Sequence, residues 1–252
     1  MSVTIKSARE IELMRESGRL LAIVHDELGK ALKPGMTTKE IDRLGEEIIR
    51  SFGCVPNFLN YNGYPASICV SVNDEVVHGI PSKKRRIQEG DIVSLDAGLI
   101  YEGYHSDAAR TYPVGNISKE AADLIEVTRQ SFFEGIAQAR EGNRISDISH
   151  AVQAYVEANG FSVVREYVGH GIGRNMHEAP EIPNFGAPGH GPKLLRGMTI
   201  AVEPMVNAGT AAIRQMSDGW TVKTRDGKYA AHYENTILIT AGEPEILTAP
   251  AP

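Results

Sequence analysis

Cysteines and long hydrophobic runs are scarce in this sequence. Two cysteines, Cys54 and Cys69, occur among 252 residues, too few for a disulfide framework. No run approaches the roughly 18 apolar residues of a transmembrane helix, and the N-terminal residues carry no apolar signal core. These absences predict a reduced, cytoplasmic and soluble protein with no membrane partner.

Positive charge is also limited. The 26 Lys and Arg residues against 32 Asp and Glu residues give a net charge of −6. The one basic cluster, Lys83-Lys84-Arg85-Arg86, is typical of a solvated loop, so broad nucleic-acid binding is not expected and no nucleic acid is needed for catalysis. What is present is an ordinary globular composition, with 42% hydrophobic residues and a length that can bury a substantial core.

One stretch places acidic residues within a β-rich pattern. Segment 91–111 has two strand-like arms on either side of Glu102-Gly103, a pair suited to a tight hairpin turn. With that turn, Asp96 and Asp107 lie on one face as diagonal neighbours roughly 7–8 Å apart, within reach of a shared ion. A one-residue slip puts them on opposite faces. Two solvated aspartates on an edge hairpin are the other interpretation.

Helical and strand patterns alternate along the chain. Capping boxes at Ser7 and Thr37 open two helical patterns, and two more begin near Ser118 and Ser146. Helices are predicted over 7–30, 37–53, 118–139 and 146–160, and strands over 68–72, 161–167, 199–202, 220–223 and 232–238. The proline- and glycine-rich segment 179–197 is long for a connection, which makes it a candidate functional loop.

The order of these patterns repeats with an offset of 107 residues. Gly35, Ile41, Gly53, Gly90 and Asp96 are matched by Gly142, Ile148, Gly160, Gly197 and Glu203. The repeat predicts a single domain over 1–252 with related halves at about 7–112 and 118–240, followed by a tail at 248–252. Asp96 and Glu203 are then expected to be symmetry mates that face a shared centre.

Four acidic residues fall at or near predicted strand ends: Asp96, Asp107, Glu203 and Glu234. If they converge, repulsion and desolvation raise their pKa values unless cations neutralise them. His170, between two glycines that let the backbone approach closely, adds one imidazole. Such a set suits two divalent ions of Mn, Fe, Co or Zn. Sequence spacing alone does not show that the residues converge.

Six short motifs resemble those of the methionine aminopeptidases. They are Asp96-Ala97-Gly98, Tyr104-His105-Ser106-Asp107, Gly169-His170-Gly171-Ile172-Gly173, Met176-His177-Glu178, Val202-Glu203-Pro204 and Tyr233-Glu234-Asn235. The resemblance covers residues 5–247 and fits the short bacterial type I form of this M24-like metallopeptidase family. It implies an α+β pita-bread fold, in which two pseudo-symmetric halves surround a curved antiparallel β-sheet with helices on the outer face.

The resemblance also implies a ligand set for two divalent ions per chain, Co, Mn, Fe or Zn. Asp96 holds one ion, Asp107 and Glu234 bridge both, and His170 and Glu203 complete the other. A bridging water or hydroxide then attacks the carbonyl group after the N-terminal methionine. These roles follow from the family pattern.

Catalytic and substrate-binding residues are implied in the same way. Glu203 shuttles a proton to the leaving amine, while His78 and His177 hydrogen-bond the scissile amide. The side chain of the first substrate residue is surrounded by Tyr61, Tyr64, Cys69, Met176 and Trp220, where sulfur–aromatic contacts favour methionine. His78 and His177 complete the substrate-binding set. The expected activity is removal of the initiator methionine from nascent chains and peptides whose second residue is small, by a cytoplasmic monomer.

Several alternatives remain open at this point. An X-Pro aminopeptidase or prolidase shares the fold and ligand types but usually carries an additional N-terminal domain, and a binding module of this fold would have lost ligands. His232 shares a face with Glu234 in the predicted strand and is open as a further ligand. Met176 and Asn235 stand where related enzymes often have phenylalanine and histidine, so the pocket shape is open. The physiological metal and any ribosome contact are also open.

Overall fold

The structure is a computed structural model and describes residues 3–249. The α-helices are α1 (Ala8–Ala31), α2 (Thr38–Ser51), α3 (Lys119–Ile136) and α4 (Ile145–Ala158). The strands are β1 (Val55–Pro56), β2 (Ile68–Val72), β3 (Glu75–Val77), β4 (Ile92–Tyr101), β5 (Tyr104–Pro113), β6 (Ser162–Val163), β7 (Gly169–Gly171), β8 (Glu178–Ile182), β9 (Thr199–Val202), β10 (Met205–Asn207), β11 (Ile213–Gln215), β12 (Val222–Thr224), β13 (Ala230–His232), β14 (Glu234–Leu238) and β15 (Glu245–Ile246). Within this range, the helices are too short or too polar to cross a membrane.

Side-chain caps set the start of the first two helices. The Ser7 hydroxyl accepts from the Glu10 N–H, and the Glu10 carboxylate accepts from the Ser7 N–H. Thr37 and Glu40 repeat this arrangement at α2. Both predicted capping boxes are confirmed. The third helix ends at Ile136, before the predicted end at 139.

A nine-stranded sheet carries three of the four acidic residues predicted as metal ligands: Asp96, Asp107 and Glu234. Its order is β1–β4–β5–β14–β9–β7–β8, with β2 also paired to β4 and β15 to β14. Every pairing in it is antiparallel. Leu95 and Leu99 of β4 pack with Leu21 and Leu28 of α1 in one core cluster. Because side chains alternate along a strand, Asp96 points to the face away from that cluster.

The hairpin register predicted from the turn is confirmed. Strands β4 and β5 pair without interruption, so that Asp96 lies opposite Ala109 and Asp107 opposite Gly98. The turn residue Glu102 has a φ of 47° and the glycine after it a φ of 81°, the left-handed conformations that a two-residue hairpin turn requires. Both carboxylates therefore lie on one face.

The repeated positions share backbone geometry. The N–H of Gly35 donates to the Ile87 carbonyl at 2.8 Å, and the N–H of Gly142 donates to the Leu194 carbonyl at 2.9 Å. Those two glycines have φ values of 92° and 94°, while the later pair at 90 and 197 has 90° and 89°. We propose that residues 7–112 and 118–240 are structural copies within one domain.

The C-terminal strands differ from the prediction. The single strand predicted over 232–238 is two strands, because the chain passes at Tyr233 from β13, which pairs with β10, to β14, which pairs with β5. The strand predicted over 161–167 is shortened to Ser162–Val163, since the exposed Arg165 and Glu166 that follow lie outside the sheet.

The ordered packing extends past residue 247, into the segment 248–252 that was predicted to be a tail. Thr248, the first residue of that segment, is buried. Its hydroxyl donates to Asn235 Oδ1 at 2.9 Å and accepts from the Thr236 N–H at 3.1 Å. The tail residues 250–252 lie outside the described part of the chain.

Candidate metal centre and substrate pocket

Strand register aligns three carboxylates. Asp96 in β4 pairs with Ala109 in β5, and Ala109 pairs in turn with Glu234 in β14. Asp107 precedes Ala109 by two residues on the same strand and therefore shares its face. Three neighbouring strands thus present Asp96, Asp107 and Glu234 on one side of the sheet.

Strands β9 and β7 bring the other two predicted ligands to the same place. Glu203 directly follows the end of β9, and His170 in β7 pairs with Ala201 of β9. His170 Nε2 lies 3.7 Å from Glu203 Oε1 and 4.0 Å from Asp107 Oδ2. All five predicted ligands therefore converge, which sequence spacing could not show.

The glycines on either side of His170 are required by close packing. A Cβ atom on Gly169 would lie 2.3 Å from the Ala201 carbonyl oxygen, and one on Gly171 would lie 2.3 Å from the Ala179 carbonyl oxygen. No side chain fits at such distances. The two glycines thus let β7 lie close enough to its neighbours for the imidazole to reach the carboxylates.

The carboxyl groups of this cluster are electrostatically strained without a cation. Burial raises the pKa of Asp96 to about 7. Burial, followed by the charges of Asp96 and Glu203, raises the pKa of Asp107, and burial and Asp96 raise that of Glu203. The pKa of Glu234 is raised by burial and then by Asp107, with Arg110 opposing. Positive charge placed among these groups would stabilise their ionised forms.

Unpaired polar atoms point to the same conclusion. Within residues 3–249, Asp96 Oδ1, Asp107 Oδ1, Glu234 Oε1 and His232 Nε2 are buried without a hydrogen-bond partner. Two groups of three residues have donor atoms within 4.8 Å of one another: Asp96, His232 and Glu234, and Asp107, His170 and Glu234. Unpaired buried polar atoms are costly in protein alone. The residues present therefore fit divalent metal ions.

A cavity of about 250 Å³ opens beside the carboxylates. Its lining includes every predicted substrate-binding residue: Tyr61, Tyr64, Cys69, His78, Met176, His177 and Trp220. The rings of Tyr64 and Trp220 meet edge to face, with centroids 5.1 Å apart. Met176 is buried in the same apolar cluster. The cavity is thus aromatic and apolar on one side and acidic on the other.

Two histidines stand at the border between these sides. The Tyr61 hydroxyl lies 2.7 Å from His177 Nδ1, which holds that ring in place. His78 has a left-handed backbone with a φ of 59° and packs edge-on against Trp220. Burial lowers the pKa of His177 and lowers that of His78 to about 4. Both rings are therefore neutral at pH 7 and can each offer one donor and one acceptor.

Two residues of the cavity wall were not predicted from sequence. Phe58 and Asn62 line the cavity from a loop in which Asn60 and Asn62 both have positive φ. An irregular loop has no periodicity that marks the side chains facing a cavity. Their nearness to Tyr61 in sequence is the one signal that pointed to them.

Other histidines lie apart from this cavity. His25 is buried, with Nε2 2.8 Å from the Ala108 carbonyl oxygen. His150 and His190 are exposed. His105 does not line the cavity; it lines a neighbouring recess beside Glu178, which shares Tyr61, Met176 and His177 with the cavity.

Comparison with known proteins identifies the family. The sequence pattern of Metallopeptidase family M24 matches residues 12–241. The chain belongs to metallopeptidase family M24. Membership agrees with the metal-holding donor groups and implies that the chain uses divalent metal and acts on peptides.

Within family M24 the chain is similar to methionine aminopeptidases. The methionine aminopeptidase of Clostridium acetobutylicum is 55% identical over 246 residues, which cover 98% of each chain. The crystal structure of methionine aminopeptidase from Thermotoga maritima has a TM-score of 0.97 at 46% identity and covers 98% of this chain and 100% of that one. The predicted α+β pita-bread fold with a curved antiparallel sheet is confirmed.

The prolidase-type alternative is a more distant match. Xaa-Pro dipeptidase from Bacillus anthracis has a TM-score of 0.77 at 22% identity, and this chain covers 62% of its length. At that identity the likeness concerns the fold alone.

Proposed function

We propose that this M24 chain removes the N-terminal methionine from peptides and nascent proteins whose second residue is small. One observation carries the proposal: a carboxylate-rich, metal-holding cluster opens onto an aromatic cavity of about 250 Å³. Similarity to methionine aminopeptidases over nearly the whole chain supports it.

We propose that two divalent ions are held by five residues: Asp96, Asp107, His170, Glu203 and Glu234. Bound ions supply positive charge that polarises a peptide carbonyl and lowers the pKa of water. Glu234 belongs to both three-residue donor groups, which supports its role as a bridging ligand. Carboxylates with imidazole suit Co, Mn, Fe or Zn.

Glu203 is the proposed proton carrier. Its side chain lines the cavity and reaches the metal-holding cluster, with Oε1 3.7 Å from His170 Nε2. A carboxylate at this border can accept a proton from the attacking water and deliver it to the leaving amine.

His78 and His177 are proposed to hold the scissile amide and the charge that develops on it. Both are neutral and line the cavity next to the acidic cluster. The hydroxyl of Tyr61 fixes the His177 ring. Groups held in place before the reaction stabilise developing charge without reorganisation.

Substrate choice follows from the shape and polarity of the cavity. The slot bounded by Tyr64, Met176 and Trp220 accepts a flexible thioether, while the acidic cluster attracts the free α-amine. Cleavage is thus restricted to the first peptide bond. A bulky second residue meets the crowded site, and each methylene-scale misfit costs about 1–3 kcal/mol.

A peptide panel that varies the first two positions tests this function. Met-Ala-Ser is expected to be cleaved well, and Met-Lys, Met-Leu and Ala-Pro peptides are expected to be nearly inert. Equal rates for Met-Ala and Leu-Ala peptides would leave a general aminopeptidase. Preference for Ala-Pro would restore the X-Pro alternative.

We also propose that the chain acts as a monomer in the cytoplasm. Cys54 and Cys69 are both free, as in a reducing compartment. In the described chain the exposed large apolar side chains are Ile5, Val55 and Leu195, which are isolated in sequence. Sedimentation that gives a dimer mass at micromolar concentration would contradict the monomer.

A further inference from the structure

We propose that His232 is a sixth ligand of the metal centre, which supplies an imidazole to the ion held by Asp96 and Glu234. The inference rests on the metal centre of the proposed function and deepens it. The five-residue set leaves this ion with oxygen ligands alone from the protein, and His232 adds a nitrogen.

The first support is the burial of an unpaired ring nitrogen. The His232 side chain is 2% exposed, and its Nε2 atom is without a hydrogen-bond partner among the residues that the structure describes. An unsatisfied buried nitrogen is costly unless something else binds it. Asp96 Oδ1 and Glu234 Oε1, in the same donor group, are unsatisfied as well.

Two backbone hydrogen bonds hold His232 against β5. Its N–H donates to Thr111 Oγ1 at 2.9 Å, and its carbonyl oxygen accepts from the same hydroxyl at 2.9 Å. Thr111 lies on β5, the strand that also carries Asp107. The polar backbone groups of His232 are thus hydrogen-bonded to a strand that carries one of the proposed ligands.

The distance to Glu234 fits shared ligation. His232 Nε2 lies 3.7 Å from Glu234 Oε2, too far for a hydrogen bond. Two donors that each lie about 2.1 Å from one ion can be at most about 4.2 Å apart. The separations of His170 from Glu203 and Asp107, 3.7 and 4.0 Å, fall in the same range. His232 is therefore placed toward Glu234 as His170 is placed toward its own carboxylates.

The step between β13 and β14 makes this placement possible. His232 ends β13, Glu234 begins β14, and Tyr233 connects them. The two side chains reach the same place although their strands belong to different sheets.

An imidazole at this position changes which ions the site prefers. Oxygen ligands alone suit Mn, whereas an added imidazole shifts preference toward Fe, Co and Zn. With His170 at one ion and His232 at the other, each ion has one nitrogen ligand from the protein. The chain is then expected to favour Co and Zn over Mn at both positions.

X-ray absorption of the wild-type protein loaded with two equivalents of Co²⁺ tests the ligand count directly. The sixth ligand predicts an average of one imidazole per ion, and the five-residue set predicts one imidazole per two ions. The lower count would overturn the inference. This measurement needs no variant, so it holds even if substitutions prevent folding.

Metal titration of His232→Gln gives a second test. Glutamine keeps a polar side chain but removes the imidazole, so affinity for one of the two Zn²⁺ ions is expected to fall at least about tenfold, with a smaller change for Mn²⁺. The Co²⁺ visible spectrum is expected to change as well. His105→Gln is the matched control, since His105 belongs to neither donor group. Wild-type Zn²⁺ affinity and Co²⁺ spectrum in His232→Gln would overturn the inference.

The outcomes separate this inference from the proposed function. A protein with one imidazole per ion that fails to cleave Met-Ala-Ser would contradict the function and support His232 as a ligand. A protein that cleaves Met-Ala-Ser with one imidazole per two ions would contradict the His232 assignment alone.

Discussion

Glu203 lies between the other proposed metal ligands and the cavity. Glu203→Gln keeps the size of the side chain but removes its basic oxygen, so turnover of Met-Ala-Ser is expected to fall on the order of 10²–10⁴-fold. Glu181→Gln, at an exposed position in β8, is the control and is expected to keep wild-type turnover. A Glu203→Gln enzyme within threefold of wild type would exclude the proton-carrier role.

His177 contacts the cavity and is held by Tyr61. His177→Ala is expected to lower turnover while the metal content stays at the wild-type value, because the ring is assigned to the substrate. Turnover and metal analysis on the same preparation check this. Tyr61→Phe removes the hydrogen bond alone and should give a smaller loss. A His177→Ala protein purified with one ion fewer would make His177 a ligand.

His25 makes the stability of the chain depend on pH. Burial lowers its pKa to about 3, Arg110 and His232 add to this, and the hydrogen bond to the Ala108 carbonyl opposes it. The folded value lies below the ordinary 6.5, so the unfolded state binds more protons between these values. Stability from the neutral ring is therefore complete above pH 6.5 and is lost as pH falls toward 3.

The unfolding temperature of His25→Gln against pH checks this. The variant can still donate to the Ala108 carbonyl but does not titrate, so its unfolding temperature is expected to fall less steeply than that of wild type between pH 6.5 and 4. Parallel curves for the two proteins would show that His25 does not contribute to the pH dependence of stability.

At the scale of secondary-structure elements, Arg110 joins β5 to β14. Its guanidinium donates to the Glu234 carbonyl and to Asn235 Oδ1, and lies 4.4 Å from the Tyr233 ring centroid. Arg110→Met leaves these acceptors without a charged donor and is expected to lower the free energy of unfolding by about 1.5–3 kcal/mol. Denaturant unfolding measures the change.

Arg129→Met is the matched control for that substitution. Arg129 also lies over an aromatic ring, that of Phe133, but at an exposed position on α3 where it pairs with Glu126. Exposed ion pairs contribute about 0–1 kcal/mol to stability, so Arg129→Met should lower the free energy of unfolding only slightly. Equal decreases in the free energy of unfolding of the two variants would show that the contacts of Arg110 between strands add nothing to stability.

Local signals predicted some elements well and others poorly. The hairpin register followed from Glu102 and Gly103, because a two-residue turn determines every pair beyond it. The break at Tyr233 carries no such signal, since the residues on both sides are strand-forming and the break depends on which distant strands pair with them. Boundaries that are set by tertiary pairing were therefore missed.

At the scale of the whole molecule, the proposed metal centre takes its ligands from both proposed halves. Asp96 and Asp107 come from the first half, and His170, Glu203 and Glu234 come from the second. Removal of metal by a chelator is expected to abolish activity and to lower the unfolding temperature, because buried carboxylates are left to repel one another. Adding Co²⁺ or Mn²⁺ should restore both.

The size of this effect depends on ion concentration. At 100 times its dissociation constant, an ion at one site adds about 2.7 kcal/mol to the free energy of unfolding. Calorimetry across a metal titration measures the dependence. A chelated protein with full activity and an unchanged unfolding temperature would contradict the metal centre.

The convergence of the candidate site could not be predicted from residue spacing. The sequence pattern singled out Glu203, His170 and Glu234, and the family resemblance assigned them as ligands. The structure brings them together through the pairings of β14 and β9 with their neighbours. The loop residues Phe58 and Asn62 had no comparable signal, because their orientation depends on packing against distant parts of the chain.

The pairing of β5 with β14 also sets the order in which the molecule is assembled. Ala109 and Glu234 are neighbours in the sheet, although about half of the chain separates them in sequence. Closing so long a loop has an entropic cost, so we expect this contact to form later in folding than the local β4–β5 hairpin. The proposed ligand set is then complete only after β14 has joined the sheet. Divalent ions are therefore expected to slow unfolding more than they accelerate folding.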